Sequence, residues 1–275
     1  MERGADRAAR SMIRAAAGGF VLFIAVAGPA AAVSVAVVGS QFRVTLDDGR
    51  VLAQEALKGV VLALGDGSGR QRRLRIEAVE PDPRDVDGEV MLYSLSEQDP
   101  ESGEWRNACL PDPQGRRLGF PLPGRFTADG RYESAPGKLL ITCTGGAEGK
   151  CVRFGYKPWG KAPDGAPLTE AYNACVRLVR ADYAGDGRGT TRNGQPIDIY
   201  DSLGVLSPAN DPSYEFEAGF DEKGAICVRH VRVKENATLA AIEASTPRLK
   251  GKVGEICDEA LARAQGAILF VRSPR

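Results

Sequence analysis

The sequence predicts an α+β fold, mainly short antiparallel strands with three or so helices, stapled by disulfides. Three observations predict it. Short alternating apolar runs separated by glycine, proline and aspartate fill most of the chain, as expected for half-buried strands joined by tight turns. One segment, residues 167–183, instead repeats its apolar positions at spacings of three and four, which is helical. Six cysteines, at 109, 143, 151, 175, 227 and 257, form an even set suited to an oxidising compartment, with about 15 possible pairings.

The first 32 residues read differently from the rest. Arg3, Arg7, Arg10 and Arg14 make a basic start, an apolar run covers residues 15–29, and Ala30-Ala31-Ala32 supplies a small-residue cleavage site. That order is a secretory signal peptide, and it implies a periplasmic or extracellular location. The run falls short of the roughly 20 residues a membrane span needs, so no span is expected after cleavage. Basic and acidic residues balance at 36 each, without the concentrated basic excess of a nucleic-acid-binding domain. His230 is the one histidine, and the closest cysteine spacing is 143 to 151. Metal sites want closer ligand pairs, so no metal is expected, and no cofactor.

Residues 33–133 read as a β-rich region. Residues 41–46 alternate, Asp47-Asp48-Gly49-Arg50 is a hairpin-type turn, and 60–64, 74–79 and 89–95 are further strands. A stretch rich in proline and glycine, 105–137, reads as an irregular connection, with the softest domain boundary at 131–138. Residues 138–143 then form a buried strand, and 151–156 a second short run. Tyr156 and Trp159 bracket Pro158, a pattern that suits packing on a core. Pro167 suits a helix start, and Leu168, Tyr172, Cys175, Val176, Val179 and Tyr183 make one face. Arg177 and Arg180 fall on other faces, where solvation is expected. Residues 214–220 and 225–233 make a hairpin that carries His230 at a surface or edge. Helices at 237–244 and 254–265 and a strand at 267–271 complete the chain. Cys227 and Cys257 are suggested partners, since the last helix could pack on that hairpin.

The stretch 180–201 concentrates the groups able to do chemistry: Asp182, Tyr183, Asp186, Arg188, Arg192, Asp198, Tyr200 and Asp201. Gly185 suits a left-handed helix cap. Asp182 and Asp186 then lie at the negative end of the helix dipole and need cationic partners, for which Arg180, Arg188 and Arg192 are nearest.

From about Lys138 onward the chain resembles the ADYC-domain family of exported bacterial proteins. The resemblance rests on Cys143, Cys151-Val152-Arg153-Phe154-Gly155-Tyr156-Lys157-Pro158-Trp159, Ala174-Cys175-Val176-Arg177, Arg180-Ala181-Asp182-Tyr183, Gly185-Asp186-Gly187, Pro196-Ile197-Asp198-Ile199-Tyr200-Asp201 and Cys227-Val228-Arg229-His230. It implies a domain over 138–275 and no particular activity. The family takes its name from a cysteine after Ala-Asp-Tyr, where this chain has Ala184. A family cysteine there would be either a nucleophile, activated by a neighbouring imidazole, or half of a disulfide lost here. Two functions follow as expectations. The first is an exported, disulfide-stapled binding or structural module whose helix-to-loop surface around Asp182 to Asp201, Ala184 included, engages an unknown ligand or protein. The alternative is a hydrolase-like enzyme, or a non-catalytic relative of one, centred on 180–201.

Overall fold

A computed structural model describes residues 34–65, 71–209 and 211–274. The segment expected to be a signal peptide and most of the glycine-rich turn at 65–69 lie outside the described residues. Residues from Val33 to Arg275 make one compact unit. The fold is α+β, as its sequence pattern predicts.

A three-stranded antiparallel sheet, β1 (Ser34–Val38), β2 (Gln41–Thr45) and β3 (Val51–Ala53), opens the chain. The largest sheet follows. Its strands are β4 (Val61–Gly65), β5 (Gln71–Pro81), β6 (Met91–Gln98), β7 (Trp105–Asn107) and β8 (Gly119–Pro123). A two-stranded ribbon of β9 (Arg125–Phe126) and β10 (Tyr132–Glu133) leads to β11 (Leu139–Cys143), which joins the large sheet in the order β11-β8-β6-β5-β4. Helices α1 (Ala147–Arg153) and α2 (Thr169–Arg180) come next. A four-stranded sheet is built from β12 (Asp198–Asp201), β13 (Glu215–Asp221) and β14 (Gly224–Val228). Helices α3 (Leu239–Ser245) and α4 (Glu259–Ala264) and strand β15 (Leu269–Ser273) close the chain, in the sheet order β12-β15-β13-β14. No helix among the described residues is long and apolar enough to cross a membrane.

Several expectations are corrected. The proline-rich stretch 105–137 contributes an inner strand, because β8 is buried along Gly119–Leu122. Pro121 and Pro123 sit opposite Ile141 and Leu139. The bonds from Gly124 N to Lys138 O and from Thr144 N to Leu118 O, both 2.9 Å, place those pairs between ladder bonds, so the missing proline N–H groups break nothing toward β11. Toward β6, β8 pairs through Gly119 alone.

The run at 151–156 is helical through Arg153 rather than extended; a short apolar run carries no reliable period. The last strand of the expected hairpin stops at Val228, and the expected helix at 254–265 is a 3₁₀ turn followed by α4. His230 is buried, with Nε2 3.1 Å from the Ser273 hydroxyl.

All six cysteines are paired: Cys109–Cys143, Cys151–Cys175 and Cys227–Cys257. They tie the loop after β7 to β11, α1 to α2, and β14 to the turn before α4. Loops of 34, 24 and 30 residues give each bridge about 3–4 kcal/mol in the chain-entropy account.

Candidate functional site

Helix α2 is the axis of the site. Residues Ala171 through Leu178 are all buried, so the helix is enclosed on every side, by α1, β10, β13, β14 and β15. Its polar positions therefore face protein, not water. Asn173 pairs with the backbone of Tyr132, accepting its N–H at 2.7 Å and donating to its carbonyl at 3.0 Å. Arg177, expected in solvent, is 2% exposed. It donates to the carbonyls of Glu222 and Asp129 and to the Asp182 carboxylate, the last at 2.8 Å.

The helix ends earlier than the glycine pattern suggests. Ala181 takes the left-handed conformation, with φ +51°, and Ala181 N and Asp182 N bond back to Leu178 O and Arg177 O. This is a Schellman ending with alanine at the usual glycine position. The chain then folds over the helix end and satisfies its last carbonyls, which would otherwise lack partners. Thr190 N and Thr191 N donate to Arg180 O, Thr190 Oγ1 donates to Ala181 O, and Arg232 donates to Leu178 O and Val179 O. Asp182 turns inward and accepts N–H bonds from Gly185, Asp186 and Gly187 at 2.9–3.2 Å. Its partner is thus Arg177 and a cluster of amides, not the arginines nearest in sequence. Burial pushes the Asp182 carboxyl above its usual range, against the pull of Arg177 and the Gly187 amide.

Beside it lies a second buried pair. Glu217 and Arg232 have side chains 0% and 1% exposed and meet at 2.9 Å. The Tyr183 hydroxyl donates to Glu217 at 2.9 Å and accepts the Arg232 N–H at 3.0 Å. Burial, with Glu217 alongside, raises the Tyr183 hydroxyl well above its ordinary value, so it stays protonated as a donor. Pattern reading missed Glu217 because a bulge between Phe216 and Ala218 breaks the alternation of β13 and leaves this residue out of register.

The remaining candidates separate. Asp186 and Arg188 pair loosely at 3.7 Å on the surface, and Arg192 reaches Glu235. Ala184 is half-buried between Tyr183 and Gly185. Asp198 is buried and accepts the Ala209 N–H at 3.0 Å. The Tyr200 hydroxyl donates to Glu259, and Asp201 accepts the Tyr156 hydroxyl, both at 2.6 Å, together with the amides of Leu203, Val205 and Leu206. Two further pairs cross to the N-terminal strands. Arg153 grips Asp82 with two bonds, and Lys157 meets Asp85, Asp87 and Glu89 at 2.7–3.1 Å. Tyr156 is fully buried, and Trp159 packs against the same core.

The ADYC domain family model matches residues 54–234. The chain belongs to the ADYC family. No curated protein and no solved structure matches it. The match starts well before Lys138, so the ADYC domain takes in β5, β6 and β8, and in this chain the Arg153–Asp82 and Lys157–Asp85 pairs are contacts within it. Within the ADYC domain, motif residues Arg177 and Asp182 are joined to each other, as are Tyr156 and Asp201. All six cysteines being paired, a cysteine at 184 would have no partner unless a second one came with it. No group of three or more His, Cys, Asp or Glu residues placed to hold a metal occurs among the described residues.

Proposed function

We propose that this ADYC protein is an exported, periplasmic or extracellular, disulfide-stapled module that binds a ligand or protein, and that stretch 180–201 is its scaffold rather than a catalytic centre. The observation that carries the reading is the bonding of Asp182, Tyr183, Glu217 and Arg232: each polar end is consumed by partners inside the fold. A catalytic group must meet substrate in a cleft. Three disulfides would be reduced in most cytosols, which supports export.

The test is expression of the full chain in a bacterium, followed by fractionation and mass spectrometry of unreduced protein. A mature chain beginning near Val33, outside the cytoplasm and without free thiols, is the expected result. Six free thiols in a cytoplasmic protein would overturn the export reading. Turnover of ester, peptide or glycoside probes that disappears in Asp182→Asn or Asp198→Asn protein, with the fold intact, would overturn the non-catalytic one.

A further inference from the structure

The large sheet has two ends, β4 and β11. Both line one groove of about 670 Å³, together with Val35, Leu74, Gly124 and Arg125, so the sheet curls until its two edges face a common space. A volume of this order suits a bound molecule. The edge of β11 is open. Since Lys138 and Thr144 bond toward β8, the alternation of an antiparallel ladder turns the N–H and C=O groups of Leu139 and Ile141 the other way, where no ladder partner occurs among the described residues. Natural sheets blunt exposed edges with charge, proline or a cover. Within both edge strands, Val61–Gly65 and Leu139–Cys143, there is neither charge nor proline.

Charge further defines the occupant. The groove is lined by Arg72, Arg125 and Lys138 against the single carboxylate of Glu97. Arg72 holds Glu97, and Arg125 is turned to Glu133, while Lys138 is exposed at the end of the open strand. We propose that the groove takes an extended, net-acidic peptide segment of a partner, added as a strand along Leu139 to Ile141 with its acid toward Lys138. Main-chain bonds give such strand addition its affinity, and alternate side chains its specificity. The proposal rests on the module reading and names its partner class.

Selection of a phage-displayed linear peptide library on the intact, disulfide-bonded protein tests it, followed by titration of a selected synthetic peptide against isotope-labelled protein. Selected peptides should be acidic and rich in β-branched residues, and should shift the Leu139 and Ile141 amides and slow their exchange. Ile141→Pro removes an outward N–H without touching the β8 ladder and should weaken binding about tenfold. Lys138→Glu, an exposed change, should weaken it about fivefold and reduce its salt dependence, and it carries the test if the proline variant does not fold. Peptides that map to another face, or bind both variants unchanged, sink the groove but leave the module reading intact. Recovery of no peptide at all, displacement of selected peptides by palmitate, or a second copy of the chain filling the groove in sedimentation would also overturn it. Fractionation and thiol counting decide the module reading independently.

Discussion

The buried charges decide what single residues contribute. Arg232 both neutralises Glu217 and closes the carbonyls at the end of α2. Removing one partner of a fully buried pair leaves an uncompensated charge, at a cost of about 3–5 kcal/mol. Arg232→Ala should therefore lose that much stability in urea unfolding, whereas Arg192→Ala, whose pair with Glu235 is exposed, should change it by less than about 1 kcal/mol. Equal losses would contradict the buried network. Ala184 permits a separate test. Ala184→Cys should add one titratable thiol to a chain that otherwise has none, without creating hydrolytic activity, because the one histidine, His230, is buried with its Nε2 on the Ser273 hydroxyl. Activation of that thiol at neutral pH would revive the degenerate-enzyme reading.

At the scale of the element, the loop after α2 is held by close backbone approach. Gly185 has φ +75°, and a Cβ there would lie 1.8 Å from Lys223 O. Gly194 has a similar φ of +81° with nothing within 4 Å of its would-be Cβ. Gly185→Ala should thus cost about 3 kcal/mol or more, combining strain and overlap. Gly194→Ala should cost about 1 kcal/mol, from the backbone alone. Comparing their melting curves separates the two effects, and near-equal shifts would show that the approach to Lys223 relaxes freely. The glycine pattern gives a turn near 185 but not the true helix end. That end is at Ala181, where seven bonds from Thr190, Thr191, Arg232 and the local backbone outweigh about 1–2 kcal/mol of left-handed strain.

At the scale of the whole molecule, the pairs between the helices and the N-terminal strands make stability acid-sensitive. Burial would raise the Asp82 and Asp85 carboxyls, but the hydrogen bonds from Arg153 and Lys157, with backbone amides, hold both below the usual carboxylate range. A depressed carboxylate stabilises the fold above its unfolded value, near pH 4, and loses that contribution as pH falls through its folded value. Asp182, shifted upward, works in the opposite sense. Unfolding free energy should be level above about pH 5 and fall below about pH 4. Asp82→Asn should start lower at neutral pH and show a shallower fall; an unchanged acid limb would mean that other groups govern it.

The α+β class, the cysteine set and most strand positions were legible in the sequence because alternation, turn residues and cysteine count are local signals. The pairing of Cys227 with Cys257 was also within reach, from the expected packing of a helix on a hairpin. What sequence alone determined is a disulfide-stapled ADYC domain and a dense polar stretch at 180–201. Only the tertiary structure decided which partners the residues of that stretch meet. Arg177 and Asp182 meet because α2 is enclosed on all sides, so a polar residue on an expected outer face is still inside. Glu217 reaches Tyr183 and Arg232 where a bulge interrupts β13. Asp82 finds Arg153 across 71 residues. Burial and long-range pairing set the partners of these side chains, and neither leaves a period in the chain.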